Sequence, residues 1–113
     1  MKNRLSLVTI ISLVGCPVFA EGDHHHDFAP DVAAFHEVLA PLWHAPEGAE
    51  RTKAICAKQN DMTLIANKIK SQDPANLLKT LSHLSDSCAG KQAAVAATFS
   101  SVHDAFHLLI DTH

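Results

Sequence analysis

Apolar residues recur every three or four positions through most of the chain after residue 30, and polar residues fill the positions between them. This spacing matches the turn of an α-helix, whereas a half-buried strand would alternate at every second position. The sequence has no alternating β-branched run and no Asn-Gly hairpin signal. We therefore predict four amphipathic helices, over residues 30–45, 49–71, 74–88 and 91–112.

Short breaks containing Pro or Gly separate these predicted helices. Residues 45–48 (APEG) form the first break, Asp73 and Pro74 are expected at the N-cap and first position of the third helix, and residues 89–90 end it. Pro41, inside the first helix, is expected to kink it or remove a hydrogen bond. Short connections make consecutive helices antiparallel, so the predicted fold is all-α, an up-down-up-down antiparallel four-helix bundle.

The same periodicity predicts which side chains face the core of this bundle. The residues expected to point inward are Val32, Phe35, Leu39 and Leu42 from the first helix, Ile55, Met62, Ile65 and Ile69 from the second, Leu77, Leu81, Leu84 and Cys88 from the third, and Val95, Phe99, Val102, Phe106, Leu109 and Ile110 from the fourth.

The first twenty residues have the three parts of a secretory signal peptide. Lys2 and Arg4 form a positive start, residues 5–15 form an apolar run, and residues 18–20 (VFA) form a cleavage site with small residues at the required places. The predicted layout is a signal peptide over residues 1–20, a flexible His-rich arm over 21–29 and the four-helix bundle over 30–113.

Cys16 offers a second processing route. Residues 13–16 (LVGC) resemble a bacterial lipobox, in which Cys16 would be lipidated and anchor the chain to a membrane. We favour cleavage after Ala20, because Pro17 is unusual behind a lipidated cysteine. Either route exports the chain to a periplasmic or secreted location, and no later segment is long and apolar enough for a transmembrane helix in the mature chain.

Charge narrows the range of partners. All twelve acidic residues but only seven of the nine basic residues follow Ala20, so the mature chain has a net charge of −5 with neutral histidines. Nucleic-acid binding normally requires a basic surface, and we therefore expect no nucleic-acid partner. An acidic exported chain with nine histidines is better suited to binding cations.

Both processing routes leave Cys56 and Cys88 to pair with each other. Two cysteines in an oxidising compartment most often form a disulfide. Each lies about 15 residues from the turn between the second and third helices, so an antiparallel arrangement brings the two to the same height. We predict a Cys56–Cys88 disulfide, with two thiolates on a metal ion as the alternative. Since the chain has no C-x-x-C-H, covalent c-type haem attachment is excluded.

The histidines carry the candidate chemistry. His103 and His107 are four apart on the fourth helix, a spacing that places both rings on one helical face. His36, on the antiparallel first helix, is expected near the same end of the bundle. These three form the predicted metal site, which further histidines near the two ends of the mature chain are expected to supplement: His24, His25, His26 and His113.

Imidazole is a ligand for divalent transition metals, so the expected cofactor is Zn, Cu or Ni. His44 and His83 are expected to be ordinary surface histidines. The chain has no H-E-x-x-H, no Gly-rich phosphate loop and no nucleophile elbow, so we expect no enzyme. The function that follows is metal storage, buffering or delivery outside the cytoplasm.

The layout resembles two groups of small exported four-helix bundles: His-rich periplasmic metal-binding proteins and the cytochrome b562 and cytochrome c′ type. Resemblance to the b-type cytochromes implies haem b held between His36 and His107, although the methionine of that family is missing from the first helix. Haem binding by an electron carrier is therefore the second hypothesis, and a structural or partner-binding bundle without a cofactor is the third. A homodimer that joins two half-sites is compatible with the small core.

Overall fold

The structure, a computed structural model, describes residues 28–111. The predicted signal peptide, the arm histidines His24, His25 and His26, and His113 lie outside the described residues. The described part has no strand and contains four α-helices: α1 (Pro30–His44), α2 (Ala49–Asn67), α3 (Ala75–Gly90) and α4 (Val95–Ile110), the last preceded by a 3₁₀ turn at Gln92–Ala94. Consecutive helices pack against each other through short connections. The predicted all-α, antiparallel four-helix bundle is confirmed.

The core follows the predicted stripes closely. The buried apolar side chains are Val32, Phe35, Leu39, Leu42, Ile55, Met62, Ala66, Ile69, Leu77, Leu81, Leu84, Val95, Phe99, Val102, Ala105, Phe106 and Leu109. Three residues predicted to face inward, Ile65, Cys88 and Ile110, are only partly buried and pack against the edge of this core.

The helix ends differ from the prediction by a few residues, and side-chain contacts account for the largest difference. The second helix ends at Asn67 rather than residue 71, and Lys70 and Ser71 instead donate their backbone N–H groups to Asp31 at the start of α1. The third helix begins at Ala75 with Pro74 at its N-cap, one position later than expected, and the Asp73 carboxylate accepts the N–H of Ala75. Helix α1 continues through the exposed Pro41 to His44.

Cys56 and Cys88 form the predicted disulfide between α2 and α3. Their Cα atoms are 5.6 Å apart, and 32 positions separate the two residues in the sequence. Both cysteines are half-buried and pack against the core. The bond closes the α2–α3 hairpin and is consistent with an oxidising compartment outside the cytoplasm.

The expectation that no later segment is long and apolar enough to cross a membrane was wrong for one described stretch, Gln92–Ile110, which meets the length and composition criteria with a mean hydropathy of 1.3. In the bundle it forms the 3₁₀ turn and α4, which buries six residues in the core. Because the core helix of a soluble bundle passes the same test, this stretch is weak evidence for membrane insertion.

Asp31 joins the start of α1 to the connection after α2. Its Oδ2 accepts the N–H groups of Lys70 at 2.7 Å and Ser71 at 2.9 Å, and its Oδ1 accepts the Ser71 hydroxyl at 2.6 Å. These hydrogen bonds, led by that of the Ser71 hydroxyl, lower the pKa of Asp31 from 3.8 to about 2. The ionised form is therefore the one that stabilises the fold.

The substitution Asp31→Asn is expected to lower the melting temperature at neutral pH, because the amide cannot accept all three hydrogen bonds. Because folding lowers the pKa of Asp31, its ionised carboxylate contributes its full stabilisation above pH 3.8. This contribution is lost as the pH falls from 3.8 through about 2. Thermal unfolding of wild type and variant should therefore converge at the acid end of this range. The exposed Asp86 supplies the control: equal destabilisation by Asp31→Asn and Asp86→Asn would contradict the role of Asp31.

Candidate functional site

A cleft of about 240 Å³ lies between α1 and α4. The described residues that line it carry aromatic, aliphatic or imidazole side chains: Phe28, His36, Leu39, Ala40, Trp43, His44, His103, Phe106, His107 and Ile110. Side-chain rings bridge the two helices here, with Phe35 stacked on Phe106 at 5.6 Å between ring centroids. The α1–α4 interface is therefore the place where the sequence-predicted histidines meet the large aromatic residues.

His103 and His107 are neighbours along this cleft. Their ring centroids are 4.5 Å apart and their planes are inclined by 62°. The i, i+4 spacing on α4 produces this arrangement, as predicted from the sequence. His103 is mostly buried, with 20% of its side chain exposed, whereas His107 is exposed at the cleft edge. Two imidazoles at this separation can both bind one metal ion, because the distance from a ring nitrogen to an ion such as Zn²⁺ is about 2 Å.

Trp43 fixes the orientation of the His103 ring. The two rings are nearly parallel, at an angle of 6°, and their centroids are 3.6 Å apart. Trp43 also contacts Phe99 of α4 at a centroid distance of 6.0 Å. The tight stack restricts rotation of the His103 ring, so this candidate metal-binding imidazole is held in one orientation before an ion binds.

His36 lines the same cleft, nearer the start of α1. Its ring stacks on Phe106 at 5.7 Å and meets the edge of Phe28 at 5.0 Å. Phe106 also contacts His107, at 6.2 Å. The structure thus brings His36 into the same cleft as the His103–His107 pair, and the Phe106 ring contacts both His36 and His107.

The expectation that His44 and His83 lie at the surface is confirmed, but the two differ in their relation to the cleft. Both are exposed, but His44 lines the cleft beside Trp43, in the last turn of α1. His83 lies on α3 and does not line the cleft. His44 was missed because its position lies off the apolar stripe of α1, and a position off the stripe can still face a cleft at the helix edge.

Arg51 of α2 supports the Trp43 side of the cleft. Only 8% exposed, it donates from Nε to the carbonyl oxygen of Leu42 at 2.8 Å and from Nη2 to that of Trp43 at 3.3 Å. These carbonyls belong to the last turn of α1 and have no partner within the helix. The guanidinium carbon also lies 5.4 Å from the Trp43 ring and 5.2 Å from that of Phe99. The sequence pattern gave no indication that this arginine is buried.

Burial and neighbouring side chains both affect the pKa of His103. Burial lowers its pKa below the ordinary 6.5, and the nearby His107 and His44 rings lower it further. Asp104 opposes this effect, with a carboxylate oxygen 3.9 Å from Nδ1 of His103, but that side chain is 78% exposed. The net result favours neutral imidazole, which is the form that binds metal ions.

Within residues 28–111, no three His, Cys, Asp or Glu side chains already converge in an arrangement able to hold a metal ion. The described residues instead provide a two-imidazole pair, His103 and His107, with His36 and His44 elsewhere on the cleft wall. Any further protein ligand would have to move toward the pair. His44 is exposed, and exposed side chains change rotamer within nanoseconds, so its movement has a small kinetic barrier.

Comparison of the chain with protein-family models, with curated proteins and with solved structures gives no match.

Proposed function

We propose that the chain is an exported metal-binding protein that holds a transition metal ion, Zn, Cu or Ni, in the cleft between α1 and α4. The observation that carries this proposal is the His103–His107 pair, with ring centroids 4.5 Å apart on one wall of a cleft that His36 and His44 also line. The stack of Trp43 on His103 supports it further, because a ligand held in one orientation loses less entropy when it binds.

The proposed task is storage, buffering or delivery of the ion rather than catalysis. The described residues that line the cleft include no carboxylate that could act as a general base beside a metal-bound water. The arm histidines would act as a collector of lower affinity, since His26 precedes the cleft-lining Phe28 by only two positions in the sequence. The Cys56–Cys88 disulfide supports a periplasmic or secreted location for this task.

Haem b is the alternative occupant of the same cleft, between His36 and either His103 or His107. Sites for organic ligands and cofactors usually enclose about 300–1,000 Å³. The cleft encloses about 240 Å³, so an ion would fit it as it stands, whereas a macrocycle would require α1 and α4 to separate. The size of the cleft therefore favours the ion.

Elemental analysis by plasma mass spectrometry tests this proposal. The chain would carry no affinity tag and would be exported by bacteria grown with trace Zn, Cu, Ni and Fe. We expect Zn, Cu or Ni near one atom per chain. Iron at that level with a Soret band would replace the proposal with haem binding. Metal-free protein that also fails to bind any of these ions on titration would leave a partner-binding bundle as the better account.

A further inference from the structure

We propose that the ion selected by the cleft is monovalent copper, Cu⁺, bound between His103 and His107. This inference rests on the proposed function and narrows it to one ion. It follows from three properties of the cleft: the kind of donor atoms it offers, the number of them that lie together, and the charge around them.

The donor atoms in the cleft are all uncharged. The lining residues supply imidazole nitrogens but no carboxylate and no thiolate. Cys56 and Cys88 do not line the cleft, and their disulfide leaves neither of them as a thiolate. The Asp104 carboxylate has an oxygen 3.9 Å from Nδ1 of His103, but this side chain is 78% exposed and is not part of the cleft lining. Among the described residues, the cleft lining therefore offers a bound divalent ion no negative charge.

The number of donors that lie together also favours Cu⁺. Zn²⁺ in proteins takes four ligands in a tetrahedron, or three and a water. The two donors that lie together are His103 and His107. The exposed His44 would have to change rotamer to join them, and the His36 ring would have to leave its contacts with Phe28 and Phe106. Copper(I), a closed-shell ion of single charge, forms stable complexes with as few as a pair of nitrogen donors.

The surroundings penalise a second positive charge. The cost of transferring an ion from water into an apolar environment rises with the square of its charge, and Trp43, Phe106 and Ile110 make the walls apolar. The buried Arg51 cation stands over the Trp43 ring, adding repulsion on that side.

Anaerobic competition titrations test the assignment. The chain would compete with bicinchoninate for Cu⁺ and, in parallel, with a chromophoric indicator for Zn²⁺. Because the divalent ion lacks both charge compensation and ligands, we expect one Cu⁺ per chain and an affinity at least about 100-fold higher than that for Zn²⁺. Zn²⁺ bound as tightly as Cu⁺ would overturn the assignment while leaving the proposed function intact. Failure of both ions to bind would overturn both.

A charge introduced into the cleft provides the matched variant. Ala40 lines the cleft and is half-buried, so Ala40→Asp places a carboxylate where none exists. We expect this variant to narrow the preference for Cu⁺ over Zn²⁺ by roughly tenfold, since a single compensating charge stabilises the divalent ion more. Ala57→Asp adds the same charge at an exposed position on α2 and should leave the preference unchanged. Equal shifts in the two variants would contradict a site in the cleft.

Discussion

Replacing His103 and His107 together by alanine is expected to abolish tight metal binding while the bundle stays folded. Residues that merely orient metal ligands contribute roughly 10–100-fold to affinity, so removal of both proposed ligands should cost at least about 100-fold. The fold should survive because His107 is exposed and His103 lies at the cleft rather than in the core. A competition titration with a chromophoric chelator measures the affinity, and circular dichroism measures the helix content.

The matched control is His83→Ala, which removes an exposed histidine from α3, away from the cleft. It should bind metal like the wild type. The wild-type affinity should also fall between about pH 7 and pH 5, as protons compete for the imidazoles. An unchanged affinity in the double variant, or an equal loss in His83→Ala, would rule out the His103–His107 pair as the site.

The sole tryptophan of the chain provides an independent readout of the same event. Trp43 stacks on His103, so an ion bound to that imidazole alters the surroundings of the indole directly. Tryptophan fluorescence should change during titration of the wild type and of His83→Ala, and reach its end point at the same metal concentration as the chelator measurement.

Removing the disulfide with Cys56→Ser and Cys88→Ser together is expected to lower the free energy of unfolding by about 2–4 kcal/mol. The bond closes a loop across 32 positions and thereby restricts the unfolded chain more than the folded one. Urea unfolding followed by circular dichroism measures the change. For a domain of this size, such a loss is a large share of the total of about 5–15 kcal/mol.

A reducing agent supplies the control for this second prediction. It should destabilise the wild type by a similar amount and leave the double serine variant unaffected, because that variant has no bond to break. If the reductant leaves the urea midpoint of the wild type unchanged, the Cys56–Cys88 bond does not contribute to stability.

Most of the fold could be predicted from helical periodicity because each amphipathic stripe is a local property of the sequence. Phe35, Leu81 and Phe99 each fall on a stripe and are fully buried. The end of α2 could not be predicted in this way. It depends on Asp31, which accepts hydrogen bonds from Lys70 and Ser71 about forty positions later. Such a contact arises only once the helices have packed.

The candidate site was predictable in part for the same reason. His103 and His107 are four positions apart on one helix, and this spacing places their side chains next to each other. Their proximity could therefore be predicted from the sequence. The stack of Trp43 on His103 depends on the rotation of α1 relative to α4 and on side-chain rotamers. The burial of Arg51 depends on unpartnered carbonyls at the end of a different helix. Neither feature leaves a signal in the spacing of residues.

The most direct test of the proposed metal site is nuclear magnetic resonance of the ¹⁵N-histidine-labelled chain, which reports each imidazole separately. Anaerobic samples would be titrated with Cu⁺ and, in parallel, with Zn²⁺, both of which are diamagnetic. We predict that the ring nitrogens of His103 and His107 shift together as the first equivalent of Cu⁺ is added, while those of His83 stay in place. If neither ion moves the His103 and His107 nitrogens, or if His83 shifts in parallel with them, the cleft is not the metal site.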